Sequence, residues 1–168
     1  PLSPRAMGDF PAGKLLSGLP ERGEIFREDI VQCVTDIDAI IDKDQEARDE
    51  MPREAPADAR ALEALVAKGT LPPLLDVVLE IHDGGFRIFD FQLYSTTQLL
   101  GDVGDAIGFN PNDEGQLLAF QRDTGAVVSI EGDNQETLAS SFGAYLEAFR
   151  EALLRNKLVW ASGWVESH

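Results

Sequence analysis

Residues 107–142 constrain the fold more than any other part of the chain, because they alternate short apolar runs with turn chemistry. Ile107-Gly108-Phe109 precedes Asn110-Pro111-Asn112-Asp113-Glu114-Gly115, and Leu117-Leu118-Ala119-Phe120 precedes Asp123-Thr124-Gly125. Strands joined by such short turns pair antiparallel. Strands are predicted over 106–109, 117–122 and 126–131, with Gly125 at the left-handed position of a short hairpin loop. Ala139-Ser140-Ser141-Phe142 then reads as the start of a helix capped by Ser140 or Ser141.

Helical patterning surrounds this stretch. Ile30, Val34, Ile37 and Ile41 recur at helix-face spacing within a predicted helix over 24–41. Residues 44–58 are charged and hold Pro52 and Pro56, which a helix does not cross intact, so a boundary or exposed linker is expected. Asp58 suits the N-cap of a second helix, ending at Lys68 with Gly69 just beyond. Leu71-Pro72-Pro73-Leu74-Leu75 opens a third, with Leu74, Val77, Val78 and Ile81 as its apolar face and Asp83-Gly84-Gly85 as its stop. Phe86, Ile88, Phe89 and Phe91 suit one strand over 86–93, and Ser95 begins a short capped helix. Phe142, Tyr145, Leu146, Phe149 and Leu153 form one stripe of the last helix, with Glu147 and Glu151 on the opposite face. The tail 158–164, with Trp160 and Trp164, is apolar and suits an extra strand or a docking segment. Helices, then strands, then a helix predict the α+β class. The sheet is expected to be antiparallel or mixed, of about four to six strands, with helices packed on one face.

A length of 168 residues suits one domain with an N-terminal extension. The formal net charge of −16 repels nucleic acid and anionic membrane and attracts basic partners. A plain solubility effect explains the same charge. The single cysteine, Cys33, forms no internal disulfide and gives secretion no support. No apolar run has transmembrane length, and no signal-peptide core opens the chain, so a cytoplasmic protein is expected.

The ordered motifs resemble the SUKH superfamily, the Smi/Knr-like domain of bacterial immunity proteins and fungal cell-wall regulators. The matching pieces begin with Leu71-Pro72, Ile81-His82-Asp83-Gly84-Gly85 and Leu93-Tyr94-Ser95. They continue through Ile107-Gly108, Asp113-Glu114-Gly115 and the run 117–120, to Asp123-Thr124-Gly125-Ala126-Val127 and Ala139-Ser140-Ser141-Phe142. The likeness covers roughly residues 61–154. Family members usually carry Asn where this chain has Asp83, and the part before Asp58 is longer than the minimal pattern. The expected division is a flexible leader over 1–23, an N-terminal helix and linker over 24–57, and the Smi/Knr-like domain with its tail over 58–168. The resemblance implies a non-catalytic protein that neutralises a cognate polymorphic toxin, of the contact-dependent or type VI kind, by occluding its active site. A regulatory scaffold of the same fold is the alternative.

Catalytic candidates are few. His82 lies at a helix end, where a structural role is favoured, and His168 is terminal. One cysteine and two such histidines build no zinc site. Asn110, Asn112, Glu114 and Gly115 mimic the start of a calcium loop, but Gln121 stands where the bidentate Glu belongs. Cys33 sits in an apolar helix with no evident partner to lower its pKa. No nucleophile elbow, phosphate loop or dinucleotide fingerprint occurs, and no cofactor or metal is expected. An enzyme would need an unrecognised site of paired carboxylates. The acidic residues Asp102, Asp105, Asp113, Glu114, Glu131, Asp133 and Glu136 are the partner-binding candidates, pooled by loops at one sheet end or forming a solvated rim. Tyr94, Trp160 and Trp164 are the candidate exposed anchors. The expected partner is a basic toxin domain, with neither nucleic acid nor membrane.

Overall fold

The computed structural model describes residues 24–51 and 53–167; the expected leader over 1–23 and the terminal His168 lie outside the described residues. Helix α1 spans Arg27–Asp42 and buries Ile30, Cys33, Val34, Ile37 and Ile41, the stripe that its spacing predicts. Asp44 caps the short α2, Gln45–Glu50, by accepting from the Ala47 amide at 3.1 Å. The linker expected over 44–58 is partly ordered instead. Ala47 and Met51 enter the core, and Arg53 reaches back to Asp42 (2.6 Å) and Asp38 (3.2 Å). The Asp83 amide donates to the Ala55 carbonyl and the Ala57 amide to the Leu79 carbonyl, so the chain is fastened by backbone bonds on either side of Pro56.

Helix α3, Ala59–Lys68, starts at an Asp58 cap and stops at Gly69, whose φ of 71° is the left-handed stop expected there. Helix α4 spans Leu75–Ile81. It starts later than predicted: Pro72 and Pro73 lie in the preceding turn, and Leu74 holds φ 76° outside the helix. Leu75, Val77, Val78 and Leu79 are the buried face.

The predicted strand over 86–93 folds into a hairpin of β1, Arg87–Ile88, and β2, Phe91–Leu93. Phe89 takes φ 54° at the turn, a conformation that costs a bulky residue energy. Its ring is compensated by contacts with Tyr145 and Phe149 at 5.5 and 5.2 Å. Helix α5, Thr96–Leu100, carries a complete capping box of Ser95 and Gln98. Strands β3 (Ala106–Asn110), β4 (Asp113–Phe120), β5 (Val127–Glu131) and β6 (Asn134–Ala139) follow, and the six strands form one antiparallel sheet in chain order. β6 occupies a stretch read as a loop; its residues Asn134 to Thr137 are exposed, so it lacks the apolar alternation of a strand.

Ser141 caps α6, Phe142–Leu154, whose predicted stripe is buried throughout. Glu147 is buried too, at 7% exposure, contrary to its expected place on an open face. The reason is a second layer: α6 is packed against α1 as well as the sheet, and Arg150 of α6 pairs with Asp36 of α1 at 3.4 Å. The tail forms a two-stranded hairpin of β7, Leu158–Trp160, and β8, Trp164–Glu166. The molecule is of the α+β class. One core joins α1 through α6, one face of the sheet and Trp164, so residues 24–57 share the core of the later chain. Among the described residues no helix is long and apolar enough to cross a membrane.

Candidate partner-binding surface

Register decides what each sheet face carries, because directly paired residues point to the same side. Gly108, Leu118, Ser129 and Glu136 form one row, and Leu118 is fully buried in the main core. The next row, Gln92, Phe109, Leu117, Ile130 and Gln135, points the other way. Beside it lies Ala119, Val128 and Thr137. Ala119, Ala126 and Val128, with Ile130 against them, form a separate small cluster that holds no helix residue among the described residues. Phe109, Leu117 and Ile130 stay half-buried. Tyr94 stacks on Phe109 with centroids 5.5 Å apart and planes 24° apart. Burial pushes the Tyr94 phenol above its ordinary pKa. An open depression of about 480 Å³ lies over Ala119, Val128 and Ile130, bounded by Gln135, Arg122 and Asp105.

The turns deliver the acidic residues. The β3–β4 and β5–β6 turns fall at one end of the antiparallel sheet, which brings Asp113, Glu114, Glu131 and Asp133 together there. Asp102 and Asp105 lie at the opposite end, before β3, where Asp105 binds Arg122 at 2.8 Å. Glu136 is on strand β6 and not in a loop. The expected single pool is therefore two acidic ends with an apolar row between them.

The aromatic anchors divide similarly. Tyr94, expected to be exposed, is half-buried: it stacks on Phe109 and also packs against the main core. Trp164, expected to be exposed, is 3% exposed: its indole donates to the Arg87 carbonyl at 3.1 Å and its ring meets Phe149 edge-on. The β7–β8 pairing turns it inward, which composition alone does not reveal. Trp160 is half-buried, donates to Glu50 at 2.7 Å and lies 5.8 Å from the Arg87 guanidinium. Burial lowers the Arg87 pKa, and the Asp90 charge opposes that shift.

His82 has structural partners. Nδ1 faces the Glu54 carbonyl at 2.9 Å and Nε2 the Asp38 carboxylate at 2.8 Å. Burial works against the Arg53 charge, yet its bonds to Asp42 and Asp38 hold it above its ordinary pKa. Cys33 is fully buried, its sulfur 3.7 Å from the Leu146 carbonyl. Among the described residues no three His, Cys, Asp or Glu side chains are grouped to hold a metal ion.

Phe109, Leu117 and Ile130 were not among the sequence-derived site candidates. The unbroken run Leu117-Leu118-Ala119-Phe120 carried the signal, since a strand with one wet face alternates. No family model matches this chain, and no curated protein matches it.

Proposed function

We propose that this chain is a non-catalytic, cytoplasmic immunity protein that binds a basic toxin domain and neutralises it by occluding its active site. The observation that carries this reading is the half-buried row Phe109, Leu117 and Ile130, with Tyr94 stacked beside it, set between two acidic ends of one sheet. An apolar centre with a charged rim is the anatomy of a protein interface. The acidic ends steer a basic partner during approach, and the apolar row holds it once water is expelled. The order of motifs resembling SUKH immunity proteins supports the same function, with toxins of the contact-dependent or type VI kind as partners.

The test is co-purification with a toxin domain encoded beside this chain, at low and high salt, using the natural sequence and Ile130→Lys. A stoichiometric complex that weakens with salt, is lost in Ile130→Lys and abolishes toxin activity supports the reading. A well-folded Ile130→Lys chain that still neutralises the toxin refutes the assigned surface. A complex that leaves the toxin active favours a scaffold of the same fold.

A further inference from the structure

A second surface lies away from the sheet. Ala59, Leu62, Glu63 and Val66 follow the i, i+3, i+4, i+7 pattern along α3 and face Asp76 and Glu80, one turn apart on α4. With Ala57 they line a groove of about 500 Å³. Its wall is fastened by the Ala57 amide donating to Leu79 at 3.0 Å. The floor is apolar, and Val66 is 51% exposed, one of few large hydrophobic side chains so open. The α3 side runs about 10 Å, the length of two helical turns. The rim is wholly acidic among its lining residues: Glu63, Asp76 and Glu80.

One cation of this chain already sits on the rim. Arg27 places one guanidinium nitrogen 2.7 Å from Asp76 and the other 3.3 Å from Glu80. The Asp76 bond, then its charge, raises the Arg27 pKa. A second copy of this chain carries −16 and would meet the rim with like charge, and an anionic membrane would do the same.

We propose that the α3–α4 groove is a docking site for a short amphipathic helix from a basic protein partner, its apolar side chains on Leu62 and Val66 and its Lys or Arg on Glu63 and against the remaining negative charge of Asp76 and Glu80, of which Arg27 offsets one. Helix-in-groove recognition needs this pairing of an apolar floor with a charged rim. The site is separate from the open sheet face and does not depend on the function proposed for that face.

The test titrates a labelled Leu/Lys peptide of helical repeat against the whole chain, followed by fluorescence anisotropy, beside a Ser/Lys peptide of equal charge. Binding of Leu/Lys at least tenfold tighter than Ser/Lys, weakened at least tenfold by Val66→Lys and unchanged by Ile130→Lys, is the expected result. Thermal melts of both variants establish that they fold. Equal binding of the two peptides would show attraction to net charge alone and overturn the proposal. So would loss on Ile130→Lys with retention on Val66→Lys, which would move the site to the sheet. Glu63→Lys, on the exposed rim, serves as the second variant should Val66→Lys fail to fold. A dimer of the natural chain that Val66→Lys converts to monomer would make a second copy the occupant and equally overturn it.

Discussion

Leu117 and Leu118 are neighbours on one strand, yet Leu118 is fully buried under the helices while Leu117 stays half-buried on the opposite face. Both faces of the sheet carry apolar side chains, but the main core gathers on one of them. The covered face joins α1, α4 and α6 through side chains such as Ile37, Val78 and Phe149. The other face keeps a small cluster around Val128 that, among the described residues, includes no helix residue. An apolar face that folding leaves unused is where a partner adds contacts without competing with the core.

The largest expected effect breaks the covered side. Phe149 meets Phe89 at 5.2 Å and Trp164 at 5.5 Å and is fully buried. Phe149→Ala should cost about 3–5 kcal/mol through lost burial and a cavity. Ile130→Ala, on the other face, should cost less than about 1 kcal/mol. Urea unfolding of both variants compares them directly. Equal costs would show that the open face is as important to stability as the core.

Glycines extend the comparison. At Gly84 a Cβ would sit 2.6 Å from the Ser95 amide nitrogen, and φ is already +80°. Gly84→Ala should cost roughly 2–4 kcal/mol from the clash and the left-handed backbone together. Gly132, in the β5–β6 turn at an acidic end of the sheet, has φ +59° and nothing within 4 Å of its Cβ position. Gly132→Ala should cost only about 1 kcal/mol, the backbone effect alone. Melting temperatures of the two variants should separate accordingly.

Tyrosines report the same asymmetry through pH. Tyr145 is fully buried and donates to the Ile88 carbonyl at 3.0 Å. Burial first, then the Asp90 charge, raises its pKa well above 10.0. Above pH 10.0 the unfolded chain releases this proton while the folded one keeps it, so stability falls as pH rises further. Below that pH the contribution is complete. Tyr145→Phe should cost about 1 kcal/mol at neutral pH, from the lost bond. It should also flatten the alkaline loss, measured as unfolding free energy against pH. A curve unchanged by Tyr145→Phe would assign the alkaline loss to other groups.

Local chemistry made much of this architecture legible. Asp58 and Gly69 mark both ends of α3, and the stripe from Phe142 to Leu153 defines α6. What escaped depends on distant partners. β6 reads as a polar loop because Asn134 to Thr137 are exposed, and only pairing with β5 makes it a strand. Glu147 is drawn inward by α1, more than a hundred residues earlier in the chain. The acidic ends were legible as turns, but which turns share an end is a property of the pairing order. Asp113 and Glu131 therefore converge while Asp105 does not.

The smallest effect concerns Asp83, just past the end of α4. Asp83 and Gln92, the β2 member of the open row, line a separate depression of about 420 Å³. Its Oδ1 accepts from the Thr96 amide at 2.7 Å and the Thr96 hydroxyl at 2.5 Å, tying the end of α4 to the start of α5. Both bonds need only an acceptor oxygen, which an amide side chain also supplies. Asp83→Asn should therefore change stability by less than about 1 kcal/mol, the difference between a charged and a neutral acceptor. Asp83→Ala removes the acceptor and leaves the buried Thr96 hydroxyl to find another, so it should cost about 1–3 kcal/mol. Chemical denaturation of the pair separates the two roles. A large loss in Asp83→Asn would mean that the negative charge itself holds this corner, and a negligible loss in Asp83→Ala would mean that the tie to Thr96 is dispensable.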